Sequence, residues 1–367
     1  MRERVVVAMS GGVDSSVAAA VLLEQGYDVV GVTMKLHEDG AELPDKPCCS
    51  LDATSDARRV CEQLGVPHYV LNLVDVFTRD VFNDFVSEYA AGRTPIPCVR
   101  CNTFTKFRDL VVKADAIDAQ WIATGHYGRL ADTPHGRVLL RGRDAAKDQS
   151  YFLWGMPQPV LSRLLLPVGD WTKDETRAAA RRFGLRTANK PESMDICFVP
   201  QGDHIEILKQ HLPTDAAALS PGRIVTEDGR VLGEHQGFAR FTIGQRKGLP
   251  GGVSEPWFVT EIRAETREVV VGPRSSLARN RVSAHQINWL APKPAEGALV
   301  QVQVRHRGAI VPSTVLRADN QSIEVVLSES VQGVAPGQSL VLYDGDVVLG
   351  GGVITRAGRG ALPVMAA

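Results

Sequence analysis

The chain has few aromatic residues, 6% Phe, Trp and Tyr, and only six cysteines in 367 residues. It also lacks an excess of either charge: 41 Lys and Arg against 42 Asp and Glu leave a formal net charge of −1. Such a balance excludes a protein that binds nucleic acid through its overall field, although local basic patches can still act. No apolar run approaches membrane-spanning length. The run Val5 to Met9, cut by Ser10, is too short for the apolar core of a signal peptide. These absences predict a cytoplasmic protein with no membrane partner. The six cysteines are unevenly spaced and all precede residue 200, so they read as thiols or ligands rather than a disulfide framework. The chemistry is expected in the first half of the chain.

What is present fits a globular protein: 44% hydrophobic and 23% charged residues, with a length that suggests about two or three domains. Residues 10 to 16 read Ser-Gly-Gly-Val-Asp-Ser-Ser, directly after an apolar run and directly before a helical one, Val17 to Gln25. A strand, a Gly-rich turn and a helix start aim backbone N–H groups and the positive end of the helix dipole at one small volume, and the natural guest is an anion such as pyrophosphate. The plain alternative is an ordinary tight strand-to-helix turn. The Lys-Ser/Thr ending of kinase-type loops is missing. The heptapeptide instead resembles the pyrophosphatase-type ATP loop, whose enzymes split ATP between the first and second phosphates and join AMP to a substrate oxygen.

The first 125 residues alternate strand-like and helix-like segments. Strands are expected at Val5 to Met9, Val29 to Met34, His68 to Leu73 and Trp121 to Thr124, with helices up to Gly26 and over Asp52 to Leu64, Asp75 to Ala91 and Phe104 to Ala116. This alternation specifies an α/β domain built on a parallel sheet, with ligands at the carboxyl ends of the strands, where Ser10, Met34 and Gly125 can converge. A hairpin is expected over Arg129 to Arg143, and helical segments over Val160 to Leu165 and Thr172 to Phe183. Past Ser220 short period-two runs recur, which suggests small β domains or barrels. The expected division is 1–209, a catalytic nucleotide domain; 210–280, a small central domain; and 281–367, a carboxyl-terminal β-barrel.

A second constellation is Gly92-Arg93-Thr94-Pro95-Ile96-Pro97-Cys98-Val99-Arg100-Cys101-Asn102. Its two prolines predict a loop, with Cys98 and Cys101 at metal-ligand spacing. A further cysteine, Cys197, follows in Glu192-Ser193-Met194-Asp195-Ile196-Cys197-Phe198. A structural zinc site is one alternative, with a His as fourth ligand. Cys61 falls on an apolar helical face with Ala57 and Leu64 and is expected in the core. Cys48 and Cys49 receive no role.

The sequence as a whole resembles the tRNA-specific 2-thiouridylases. The likeness rests on the Ser10 to Ser16 loop, Gly92-Arg93-Thr94-Pro95, Cys101-Asn102, Thr124-Gly125-His126-Tyr127, Lys147-Asp148-Gln149-Ser150-Tyr151 and Asp195-Ile196-Cys197-Phe198. Further along come Phe241-Thr242-Ile243-Gly244-Gln245-Arg246, Pro336-Gly337-Gln338 and Gly350-Gly351-Gly352. The resemblance implies an ATP domain, a central domain and a β-barrel that together replace the 2-oxo oxygen of the wobble uridine by sulfur. ATP, with Mg2+, would be contacted by Ala8, Met9, Ser10, Gly11, Gly12, Val13, Asp14, Ser15, Met34 and Gly125. Cys101 matches the nucleophile and Cys197 the persulfide-forming cysteine. Ile96, Pro97 and Cys98 would lie beside the target base, and His126, Lys147, Asp148, Gln149, Arg305, His306 and Gln338 match tRNA-contacting positions. The tRNAs implied are those decoding Lys, Glu and Gln codons, and the sulfur donor a relay protein or a cysteine desulfurase.

The best-described form of the family carries Asp in place of Cys98 and Asn in place of Ile96. With Cys98 present, three thiolates are available, Cys98, Cys101 and Cys197, and such a set suits a 4Fe–4S cluster with one open iron. The rival route is free of any cluster: Cys197 carries a persulfide, and Cys101 releases its sulfur by forming a disulfide with it. Two other functions compete, an adenylating synthetase of the amidotransferase type and a non-catalytic iron–sulfur or zinc RNA-binding protein.

Overall fold

In the computed structural model, residues 2–38, 51–134, 136–192, 196–199, 203–250 and 256–360 are described. Cys48, Cys49 and the stretch Ser193 to Asp195 lie outside them. The chain divides into two compact units: Met1–Val81 with Cys98–Gly202 and Asp346–Val348, and Phe82–Pro97 with Asp203–Gly345 and Leu349–Ala367.

In chain order, the first half forms β1 (Arg4–Ala8), α1 (Val13–Glu24), β2 (Asp28–Lys35), α2 (Leu51–Leu64), β3 (His68–Asn72), α3 (Val74–Phe77), α4 (Asn83–Ala90), α5 (Pro97–Arg100), α6 (Phe107–Asp115), β4 (Trp121–Ala123), β5 (Gly128–Thr133), β6 (Gly136–Arg141), α7 (Gln158–Leu161), β7 (Leu164–Leu165), α8 (Lys173–Arg182) and α9 (His204–His211). The first unit is built on a parallel sheet in the order β3-β2-β1-β4-β7. Val5, Val6 and Val7 of β1 are fully buried, as an apolar run in the middle of a sheet covered on both faces must be. Helix α1 packs its alanines and valines on this core beside α2 and α8. The chain leaves β1 toward β2 and β3 on one side and returns to β4 and β7 on the other. The strand order therefore reverses between β1 and β4, the place where open α/β sheets bind ligands.

The second unit carries β8 (Pro221–Thr226), β9 (Val231–Gln236), β10 (Phe258–Arg263) and β11 (Glu268–Gly272) in the order β10-β11-β8-β9. It also carries β12 (Ala278–Trp289), β13 (Leu299–Gln303), β14 (Val311–Ala318), β15 (Ser322–Gln332), β16 (Ser339–Asp344) and β17 (Val347–Gly358). These run β12-β15-β14-β13-β16-β17, and a β12–β17 pairing closes the barrel around a Val, Leu and Ile core.

Three local expectations are corrected. The helix foreseen over Asp75 to Ala91 is interrupted by a π-helical turn, Thr78–Phe82. The stretch foreseen as a loop through Asn102 is helical from Pro97, with α5 followed by a π-helical segment, Cys101–Lys106. Pro97 begins the helix, where its missing N–H costs nothing and its fixed φ is already helical. The helix foreseen over Val160 to Leu165 ends at Leu161, and Leu164–Leu165 instead pair with Ile122 and Ala123 of β4.

Candidate functional site

The loop after β1 turns on Gly11, whose φ of 68° belongs to glycine and whose Cβ, if present, would overlap the Ala53 carbonyl oxygen. Gly12 is the N-cap of α1. The loop is tied internally. Ser10 N donates to Ser15 Oγ at 3.2 Å, and Ser16 Oγ donates to the Gly12 carbonyl at 2.8 Å. From outside, Lys190 Nζ donates to the Gly11 carbonyl at 2.9 Å and to Asp56 at 2.7 Å.

A cavity of about 210 Å³ opens at the carboxyl ends of β1, β2 and β4. Of the residues expected at the nucleotide, Ala8, Met9, Ser10, Asp14, Ser15, Met34 and Gly125 line it, whereas Gly11, Gly12 and Val13 shape the turn behind it. Gly125 lies so close to the loop that an added methyl group would sit 2.6 Å from Asp14 C and Ser15 N. His126 and Gln149 also line the cavity, as does Lys106. His126 Nδ1 is 2.8 Å from Thr124 Oγ1. Burial, and then the Lys106 charge, push its pKa down to about 3, so its ring is neutral at physiological pH.

Cys101 is buried, Cys98 exposed and Cys197 intermediate. Cys101 opens the same π-helical segment whose last residue, Lys106, reaches the cavity. Asn102, next to Cys101, fixes this segment through Nδ2, which donates to the Phe152 carbonyl at 3.0 Å. Among the described residues no three His, Cys, Asp or Glu side chains stand together as a metal site requires. Cys61 lies fully buried in the core as expected, its thiol pushed up to about 12 by burial and then by Glu62.

The Lys147 to Gln149 segment is largely committed to its own scaffold. Asp148 Oδ1 accepts from Gly142 N at 2.9 Å and Ser150 N at 3.0 Å, and Oδ2 from Ser150 Oγ and Arg141 Nε. Gln149 Oε1 accepts from Tyr127 N at 2.8 Å. In the second unit Arg305 and His306 are exposed. Gln338 there donates through Nε2 to the Thr94 carbonyl at 2.8 Å, while Thr94 N donates to the Pro336 carbonyl at 2.9 Å. Pro97 is buried and Ile96 partly so.

Sequence reasoning missed the partners of Asp14. Lys173, the first residue of α8 and only 10% exposed, donates to both Asp14 oxygens at 2.7 and 2.8 Å. Tyr127 OH donates to Asp14 Oδ1 at 2.8 Å, and its pKa is raised, first by burial and then by Asp14, so it remains a donor. Lys173 also contacts Glu192 at 2.8 Å, which accepts from Lys147 at 2.7 Å. Burial works to raise the Glu192 carboxyl, but the two lysines outweigh it and hold it at about 2. The available signal was a lysine on the buried stripe of α8 with Thr176, Ala179 and Ala180, a place where a charge is rarely tolerated without partners.

A glycine-rich loop at the switch point of a parallel sheet, followed by β domains, defines a multidomain nucleotide-binding α/β protein. Family models described as tRNA methyl transferase HUP domain, tRNA methyl transferase PRC-barrel domain and aminomethyltransferase beta-barrel domain match residues 3–201, 205–273 and 279–354. The tRNA-specific 2-thiouridylase MnmA of Rhodospirillum centenum is 48% identical over 96% of this chain and 92% of that protein. Those of Parvibaculum lavamentivorans and Carboxydothermus hydrogenoformans are 50% and 45% identical, over 96% and 97% of this chain and 91% and 98% of theirs. The chain belongs to the tRNA-specific 2-thiouridylase family.

Proposed function

We propose that this protein is an ATP-dependent sulfurtransferase that converts the wobble uridine of tRNA to 2-thiouridine. The observation that carries the reading is the π-helical segment with Cys101 at its start and Lys106, at its end, in the cavity bounded by Ser10, Asp14, Ser15 and Gly125. A uracil carbonyl oxygen is a very poor leaving group. The O2 atom therefore attacks the α-phosphorus of ATP, pyrophosphate departs, and AMP becomes the group that sulfur displaces from C2. Met34 and Leu36 offer apolar wall to adenine. Ser10 to Ser15 and the start of α1 would receive the phosphates, and Asp14 is the carboxylate that would hold the magnesium accompanying them.

For sulfur delivery, Cys197 takes up a persulfide from a relay protein or a cysteine desulfurase. Cys101 attacks its inner sulfur, the Cys101–Cys197 disulfide forms, and hydrosulfide is released to attack C2; a thiol reductant restores the pair. The thiols Cys98, Cys101 and Cys197 do not fit a 4Fe–4S cluster as a set, so no step runs through one, and iron and sulfide analysis after anaerobic reconstitution should find no stoichiometric cluster. Neutral His126 and Gln149 would meet the extruded base at the cavity mouth; the family resemblance is what gives Ile96 and Pro97 a contact with the target base. Arg305 and His306 would contact the tRNA backbone. Asp148 and Gln338 act through the segments they hold. The tRNAs decoding Lys, Glu and Gln codons are the expected substrates. The test is nucleotide product analysis: AMP and pyrophosphate should form only with tRNA present, and release of ADP would overturn the reading.

A further inference from the structure

Lys147, Glu192, Lys173 and Asp14 form a chain of alternating charge with steps of 2.7, 2.8 and 2.7 Å. Exposure falls from 30% for the Lys147 side chain through 27% for Glu192 to 10% for Lys173, and returns to 30% at Asp14, which opens on the cavity. An ammonium enclosed between two carboxylates has little water to replace either, so what it gives to one depends on what the other takes. Lys147 is the end outside the cavity lining, and Asp14 is the end that lines the cavity.

We propose that Lys173 and Glu192 are positioning residues for the nucleotide-activating step, and that the chain transmits the engagement of Lys147 with an RNA phosphate to Asp14 in the nucleotide loop. This rests on the function proposed above. When Lys147 turns to a phosphate, Glu192 loses one of its two cations and takes a larger share of Lys173. Asp14, still aimed by Tyr127, is then freer to face the magnesium of ATP. By linkage, tRNA and Mg·ATP each strengthen the binding of the other.

The test measures the Kd of Mg·α,β-methylene-ATP, which cannot be cleaved at the bond the reaction breaks, by calorimetry with and without saturating tRNA. In the unmodified protein tRNA should tighten binding by about fivefold or more, the lower range of typical coupling. In Lys147→Met the analogue should bind without tRNA almost as tightly as it does to the unmodified protein with tRNA, a gain that loss of a merely structural contact would not give. In Glu192→Gln the tRNA effect should fall to within about twofold of none while tRNA itself still binds, and Lys173→Arg should retain the coupling. Should Glu192→Gln not fold, Lys173→Met/Glu192→Gln removes one charge of each sign and should likewise uncouple the ligands. Coupling that persists undiminished in the uncoupling variants, or is absent from the unmodified protein although both ligands bind, overturns the inference. If the unmodified protein binds neither tRNA nor the analogue, the proposed function itself fails.

Discussion

Asp14 accepts three hydrogen bonds from two groups: two N–H···O bonds from Lys173 and one O–H···O bond from Tyr127. Asp14→Asn keeps the shape and removes the charge, and should lower AMP formation by about 100-fold or more, the cost of losing one preorganised electrostatic contact; product analysis reads this directly. Cys101→Ser and Cys197→Ser should each abolish 2-thiouridine. His126 gives a stability test. Its ring stays neutral when folded, with a pKa of about 3, so it costs nothing above the unfolded value near 6.5. As pH falls below that value the unfolded chain takes a proton that the folded state refuses, a loss of about 1–2 kcal/mol at pH 5. His126→Gln should reduce the difference between urea midpoints at pH 7.5 and pH 5, and an unchanged difference would show that His126 titrates normally. At this scale the loop residues were legible because their spacing is fixed within one heptapeptide. Lys173 was not, because it meets Asp14 across 159 positions of sequence and only the fold joins them.

Among the elements, β1, α1 and β4 meet at backbone distance. Gly125→Ala places a methyl group against the Asp14 and Ser15 backbone and should cost about 1–3 kcal/mol, as overpacking does, with weaker nucleotide binding. Thermal unfolding and calorimetry measure both. At the start of α8 the capping box between Thr172 and Glu175 supports the helix that presents Lys173. Thr172→Ala should cost about 1 kcal/mol. The buried strands β1 and β2 were legible from apolar runs that only a covered sheet tolerates. The π-helical turns were not, since one extra residue per turn leaves the local apolar pattern almost unchanged. The helix beginning at Pro97 was misread because proline reads as a breaker until its position at the helix start is known. The long polar strand β12 carries Arg279, Asn280, Arg281 and His285 and becomes a strand through its pairing with β15 and β17, a tertiary fact.

For the whole molecule, a net charge of −1 means that tRNA must be held by local cations, so affinity should fall with salt in proportion to the phosphates engaged. Arg305→Ala should weaken binding and reduce the slope of log K against log salt by about 1; an unchanged slope removes Arg305 from the interface. The α/β class and the β character beyond residue 220 were readable from the periodicity of the chain, whereas barrel closure depends on the β12–β17 pairing between segments far apart in sequence. One reaction joins the nucleotide loop to the thiol segment. Its most direct test is mass spectrometry of tRNA nucleosides after incubation with ATP, a persulfide donor and a thiol reductant, with AMP counted in the same samples. 2-Thiouridine should appear at the wobble position in amounts equal to AMP, and not at all with Cys101→Ser. AMP without 2-thiouridine in the unmodified protein, or 2-thiouridine formed without ATP, would contradict it.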